Sequence, residues 1–331
     1  MSRDEKINIP KMADTLKELS NDIIISGHKN TDFDSMCSSL ALAYSLRKLK
    51  KNVKVFIEHD SITKIAYFNL NDLLCDNFES SNYTYIALDL NRTSRLPNDI
   101  EKYYSMADYK INIDHHNGNT TNANQILNLS NVSSTCEIIY EIVKKMNVKI
   151  DKRLSELIFT GIISDTNLFS NDVSSRTFSI VSNLLKNNIN SDFLIGKFYL
   201  EKTKDEMDII AYINNNLNKY NFHYVVLDMK KEPFNRVSYS DISKKCIPII
   251  LTRQDINVLM VMMNYGNKIK GEIRSKNDID VSKLAELLTG GGHTHAAGFS
   301  NNKTLKEIIT ITNRYLNGDY DEKWFIKDNI W

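Results

Sequence analysis

Cysteine is scarce and scattered. Cys37, Cys75, Cys136 and Cys246 form no C-x-x-C pair, which argues against structural zinc and against a disulfide framework. No stretch approaches the ~20 consecutive apolar residues of a membrane span. The N-terminus, Met-Ser-Arg-Asp-Glu-Lys, lacks the basic and then apolar run of a signal peptide. Excess charge is missing as well. With a net charge of +1 there is no global basic field to hold long double-stranded nucleic acid by counterion release. These absences lead to the expectation of a cytoplasmic protein in a reducing compartment, with no membrane partner and a small or short anionic substrate held locally. Repeats and low-complexity tracts are lacking too.

What is present is the composition of a soluble globular protein: 42% hydrophobic and 25% charged residues over 331 positions, long enough for two domains. Apolar runs at 22–26, 53–57, 83–88 and 111–113 predict buried parallel strands. Helical spacing falls between them, at 10–20, 35–50, 65–74 and 98–106, and then at 134–147 and 151–163. This alternation predicts an α/β fold with a doubly wound, mostly parallel sheet over residues 1–185. Residues 186–221 are polar, helical and rich in Asn and Lys, and are expected to form a helical linker. Strands at 223–227, 258–264 and 268–274, with helices at 282–288 and 304–315, predict a smaller α/β domain over 222–331. The aromatic tail at 324–331 is expected to pack.

Chemistry-bearing residues gather where the strands end. The first strand runs into His28, Asp32 and Asp34, the third into Asp89, and the fourth into Asp114, His115 and His116. Asp165 follows the 151–163 helix. In open α/β sheets ligands bind at the carboxyl ends of the strands, and imidazole with carboxylate suits a first-row divalent cation. Each group also has a plainer reading. Asp32 and Asp34 serve equally as helix caps worth about 0.3–1 kcal/mol, and Asp89 or Asp165 could simply begin a turn. Farther on, Gly290, Gly291 and Gly292 precede His293 in a loop holding, with Gly298, four of the chain's eleven glycines. Backbone N–H groups without side chains in the way suit phosphate oxygens. His293 adds a donor, and Arg274 adds a bidentate phosphate fork.

Taken in order, His28-x-x-x-Asp32-x-Asp34, Asp89, Asp114-His115-His116, Gly161-x-x-x-Asp165-Thr166 and Gly290-Gly291-Gly292-His293-x-x-Ala296-Ala297-Gly298-Phe299 resemble the DHH phosphoesterases with their DHH-associated C-terminal domain. The resemblance covers nearly the whole chain. It implies two Mn²⁺ per chain, one held by His28, Asp32 and Asp89, the other by Asp34, Asp89, His115 and Asp165. Asp89 would bridge them and belong to the catalytic group, with Asp114 handling protons or supporting the ligands and His116 contacting the scissile phosphate. Arg274, His293 and the backbone of Gly290, Gly291 and Gly292 would grip the rest of the substrate. Two cations ~3.5–4 Å apart can share and aim a hydroxide at phosphorus. Two positions depart from the family pattern: Thr31 stands where Pro is common, and Leu90 where Thr often follows the bridging Asp.

The family's short stand-alone members, the nanoRNase and pAp phosphatase group, set the expected substrates: short oligoribonucleotides, linear dinucleotides such as pApA, and 3′-phosphoadenosine-5′-phosphate. A cyclic di-AMP phosphodiesterase, an inorganic pyrophosphatase and a silent nucleotide sensor are the rival readings. A homodimer is left open.

Overall fold

The computed structural model describes residues 3–58, 62 and 65–318, so the expectation for the 324–331 tail lies outside the described residues. The chain divides into two compact units, Met1–Glu201 and Lys202–Trp331. The first is built on a parallel sheet of β1 (Asp22–Ser26), β2 (Val53–Phe56), β3 (Tyr83–Leu88), β4 (Tyr109–Asp114) and β5 (Gln125–Asn128). Their order is β2-β1-β3-β4-β5, with every neighbour parallel.

Side chains alternate across the strands, and both faces are buried. Ile23, Ile25, Ile86, Leu88, Ile111 and Ile113 join one core, under the helices Phe33–Lys48, Thr135–Lys145 and Lys152–Asp165. Ile24, Tyr83, Tyr85 and Ala87 face the other core with Ile100 and Tyr104. A parallel sheet needs cover on both sides, which explains why its strands read as unbroken apolar runs. The strand order reverses between β1 and β3, and that topological switch point is where such sheets open a ligand crevice.

Several elements differ from the sequence expectation. The 65–74 helix is replaced by two 3₁₀ turns, Ala66–Phe68 and Asn71–Leu73. Asn69 between them is left-handed at φ 51, a conformation that cannot continue a right-handed helix. The short edge strand β5 was missed because its Gln-Ile-Leu-Asn sequence carries no sustained pattern. The helix Ser175–Leu185 was missed too, although Ser174 and Thr177 form a reciprocal capping box at its start. The 186–221 stretch is shared between the units: Phe198 is buried in the first core, while Ile209 and Ile213 of the helix Lys204–Asn215 are buried in a core of the second.

The second unit holds a mixed sheet ordered β10-β11-β9-β8-β7-β6. Its strands are β6 (Asn218–Lys219), β7 (His223–Asp228), β8 (Val258–Asn264), β9 (Ile269–Ser275), β10 (Gly290–His293) and β11 (Ala296–Asn301). Only β7 and β8 pair parallel; the other neighbours are antiparallel. Separate apolar clusters cover its two faces. Among the described residues no helix is long and apolar enough to cross a membrane.

Asp151 starts the helix that ends in Asp165. Its Oδ1 accepts from Leu154 N at 3.0 Å, and its Oδ2 accepts from Tyr44 at 3.0 Å and Lys48 at 2.5 Å. Burial opposes the charged form, but the Lys48 ammonium and the Leu154 N–H outweigh it and hold the carboxyl below the usual range. Asp151→Ala should cost about 1 kcal/mol in urea unfolding at pH 7. A carboxyl whose folded pKa is depressed stabilises above its unfolded value, and that contribution fades as pH falls through the folded one. The difference between variant and wild type should therefore shrink below about pH 4. A gap that stayed constant down to pH 3 would count against the ionised cap.

Candidate active site

At the switch point, β1 ends at Ser26 and the chain enters the His28–Asp34 turn. Asp32 is the N-cap of the helix Phe33–Lys48: its Oδ1 accepts from Ser35 N at 3.0 Å. Its other oxygen, Oδ2, lies 3.4 Å from His28 Nε2. The two readings of Asp32, cap and ligand, are thus compatible, one oxygen for each. Thr31 donates both its N–H and its hydroxyl to Glu58, so the residue standing where the family often has Pro pins the turn to the end of β2.

Asp34 is turned away from its own helix. Its oxygens accept from Thr135 N at 2.8 Å and Cys136 N at 3.0 Å, at the start of the helix Thr135–Lys145. Asp89 is left-handed at φ 59, so it begins a turn as well as carrying a carboxylate to the site. Its Oδ2 lies 3.5 Å from His28 Nε2, and its Oδ1 lies 3.5 Å from His115 Nε2. Thr135 also donates its hydroxyl to Asp89. The buried Asn112 amide donates to the Ala87 and Leu90 carbonyls on either side of Asp89, which fixes where β3 ends.

Asp165 is the last residue of its helix, and its Oδ2 is 3.1 Å from His115 Nε2. The next turn is strained. Asn167, Leu168 and Phe169 are left-handed in succession, at φ 48, 53 and 63, a geometry costing L-residues roughly 1–2 kcal/mol each and one that gathers at functional sites. Asp114 is fully buried, and its Oδ1 accepts from both His116 N and His116 Nδ1. Asp114 therefore sets the orientation of the His116 ring.

The structure brings His28, Asp32, Asp34, Asp89, Asp114, His115, His116 and Asp165 together within the first unit. Their donor atoms form three overlapping groups: His28 with Asp32 and Asp89, Asp34 with His115 and Asp165, and Asp89 with His115 and His116. The atoms of each group lie within 4.8 Å of one another. This buried set of carboxylates and imidazoles fits divalent first-row cations. The electrostatics agree. Burial disfavours a proton on His28 and Arg95 repels it, yet Asp32 and Asp89 raise its pKa to about 9. His115 is likewise raised against burial by Asp165, Asp89 and Asp34. Asp34 is pushed well up by burial and by Asp89 and Asp165. So many buried carboxylates favour positive charge among them, the condition under which deprotonated ligands and a cation are linked.

Arg274, His293 and the glycines fall in the second unit. The glycines are not a loop, as the sequence reading has it, but strand β10, paired antiparallel with β11. A Cβ on Gly290 would meet Gly298 O at 2.0 Å, and one on Gly292 would meet Ala296 O at 2.5 Å, so close strand approach demands both. At Gly291 a Cβ would meet nothing within 4 Å. Arg274, Ala296 and His293 stand in one register row across β9, β11 and β10. The Arg274 guanidinium is engaged by Glu272 at 2.6 Å and by Ser243 at 2.9 Å. Sequence reasoning missed Arg95, whose Nη1 is 3.3 Å from His116 Nε2, and Thr135. For Thr135 the Ser134-x-x-Glu137 capping pattern was a readable signal; for Arg95 there was none.

A parallel sheet with acidic and histidine strand ends at its switch point is the frame of a metal-dependent phosphoesterase. Residues 22–162 match the DHH family N-terminal domain and residues 237–318 the DHHA1 domain; the chain belongs to the DHH family of phosphoesterases. It is 23% identical, over 85% of its length and 90% of the relative's, to the bifunctional oligoribonuclease and PAP phosphatase NrnA of Bacillus subtilis. It is also 23% identical to a membrane protein–large ribosomal subunit bL9 fusion protein of Onion yellows phytoplasma, matching over 96% of this chain but only 39% of that protein. An exopolyphosphatase-related protein from Bacteroides fragilis has the same fold, with a TM-score of 0.77 at 22% identity over 94% of this chain and 96% of that one.

Gly161 lies in the helix Lys152–Asp165, where Ala would ordinarily be preferred by about 1 kcal/mol. Here an added Cβ would come within 2.2 Å of Cys136 Sγ and 2.9 Å of Asp34 Oδ1. Gly161→Ala should therefore destabilise by roughly 1–3 kcal/mol in thermal or urea melts. Adding Cys136→Ala should restore part of that loss. Equal or greater stability of the single variant would refute the close packing behind Asp34.

Proposed function

We propose that the protein is a Mn²⁺-dependent hydrolase of short oligoribonucleotides, of linear dinucleotides such as pApA and of 3′-phosphoadenosine-5′-phosphate, with two cations per chain. The observation that carries this reading is the position of Asp89. One of its oxygens faces His28 and the other faces His115, so a single carboxylate serves two adjoining donor groups. His28, Asp32 and Asp89 would hold one cation. Asp34, Asp89, His115 and Asp165 would hold the other. When bound, the pair would activate an attacking water and neutralise charge on the phosphoryl oxygens.

The chain's own groups do the rest. Asp114 keeps His116 oriented, with its ring beside Asp89 at 3.6 Å, where a phosphate oxygen would be approached. In the second unit the same sheet face carries Arg274 and His293 with Ala296, Gly298 and Gly291 between and beside them, and it also carries Glu272, which pairs with Arg274 and lies beside Gly298. A nucleotide phosphate reaching that face would meet Arg274 and His293 as cationic and donor groups, and would share Arg274 with Glu272. The similarity to the oligoribonuclease and PAP phosphatase NrnA supports short nucleotides as the substrate class.

The test is product analysis by chromatography, with Mn²⁺ or with chelator, on pApA, a short RNA, 3′-phosphoadenosine-5′-phosphate, cyclic di-AMP and pyrophosphate. AMP should appear from pApA, and mononucleotides from the RNA. Chelator should abolish both, and Asp89→Ala should lower the rate on the order of a thousandfold. Phosphate from pyrophosphate alone would place the protein with the pyrophosphatases. Cleavage confined to cyclic di-AMP would replace the linear substrates with the cyclic one. Nucleotide bound but never cleaved would leave a sensor.

A further inference from the structure

Arg95 lies six residues past Asp89 and belongs to no motif of the sequence reading. The 3₁₀ turn Thr93–Arg95 follows the end of β3, and Leu96 behind it is buried in the core on one face of the sheet. The carbonyl of Arg95 accepts from Lys29 N at 2.7 Å, which ties its backbone to the turn carrying His28 and Asp32. Backbone and neighbour are thus both fixed, and the half-buried side chain is delivered into the site. Its Nη1 donates toward His116 Nε2 at 3.3 Å, while His116 Nδ1 is held by Asp114 at 2.7 Å. Asp114, His116 and Arg95 form one chain of contacts, running from the buried end of β4 to the rim of the carboxylate cluster.

A guanidinium has five N–H donors in a rigid planar fork. One contact to an imidazole uses little of that capacity. A cation held over a cluster of buried carboxylates also lies where an incoming phosphate would need a partner other than the metals. It reaches the cluster electrostatically, since its charge disfavours protonated His28. An Arg whose sole use was to orient His116 would be redundant, because Asp114 Oδ1 already holds that residue by its backbone N–H and by its ring Nδ1.

We propose that Arg95 is a substrate-contacting residue whose guanidinium binds a phosphoryl oxygen of the nucleotide beside His116. This rests on the phosphoesterase reading of the same site, and it adds a cationic group from the first unit to those expected of the second. The Asp114–His116 contact aims the imidazole, and Arg95 supplies the charge and the fork.

Arg95→Gln and Arg95→Lys should be compared with wild type in three measurements: the thermal shift on adding Mn²⁺, calorimetric binding of AMP in the presence of Mn²⁺, and kcat and KM for pApA. In Arg95→Gln the Mn²⁺ shift should persist, AMP binding should weaken about tenfold or more, and kcat/KM should fall about a hundredfold. Arg95→Lys keeps the charge without the fork and should recover part of both losses. AMP affinity and kcat/KM equal to wild type in Arg95→Gln would overturn the proposal. So would loss of the Mn²⁺ shift in both variants, since Arg95 would then be supporting the fold of the site. Should wild type leave pApA intact, the substrate reading fails, and AMP binding by the variants still decides the role of Arg95.

Discussion

Several carboxylates buried side by side repel one another, and each loses its hydration; the first unit is arranged around making that tolerable. Asp32, Asp34, Asp89 and Asp114 each accept hydrogen bonds from fixed donors: a helix start, another helix start, a threonine hydroxyl and a histidine. His28 and His115 stand between the carboxylates. Burial opposes the charge of Asp89 most strongly, yet its hydrogen bond to His28 and the adjacent His116 keep it below the usual carboxylate range. The cluster is preorganised by its surroundings, which is what a site needs if its ligands are not to be reordered when a cation arrives.

Much of this was legible in the chain itself. Unbroken apolar runs such as Ile23–Ile25 report a strand buried on both faces, and a charge placed directly after such a run marks the strand's carboxyl end. That is why the positions of His28, Asp89 and Asp114 could be read without coordinates. What stayed hidden depends on contacts distant in sequence. Asp34 looks like a cap of its own helix, but its donors are 101 and 102 residues away. Nothing local tells that the 65–74 stretch breaks at Asn69, since Asn is only one of several residues that tolerate the left-handed region. Arg95 was invisible for the same reason: its role depends on a turn anchored by Leu96 and on a hydrogen bond from Lys29.

The glycine-rich segment illustrates a different limit. Three consecutive glycines suggest a flexible turn, and composition cannot distinguish freedom from crowding. The structure shows crowding at Gly290 and Gly292, which lie where β11 leaves no space for a side chain, and openness only at Gly291. Arg274 is similarly less available than its sequence position suggests, because Glu272, itself hydrogen-bonded by the Tyr239 hydroxyl, already holds it. Any anion reaching Arg274 must share it with that carboxylate or displace it.

The bond from Asp34 to the start of the helix Thr135–Lys145 has an electrostatic consequence. The first turn of a helix carries partial positive charge and is a natural seat for anions, an awkward neighbour for a centre meant to take cations. The Asp34 carboxyl occupies that seat, with one helix N–H on each oxygen. The helix start thus favours the ionised form of Asp34 against the burial and the neighbouring Asp89 and Asp165 that oppose it. One side chain stands between the cluster and the helix behind it, and the two N–H bonds fix the direction in which its remaining lone pairs point.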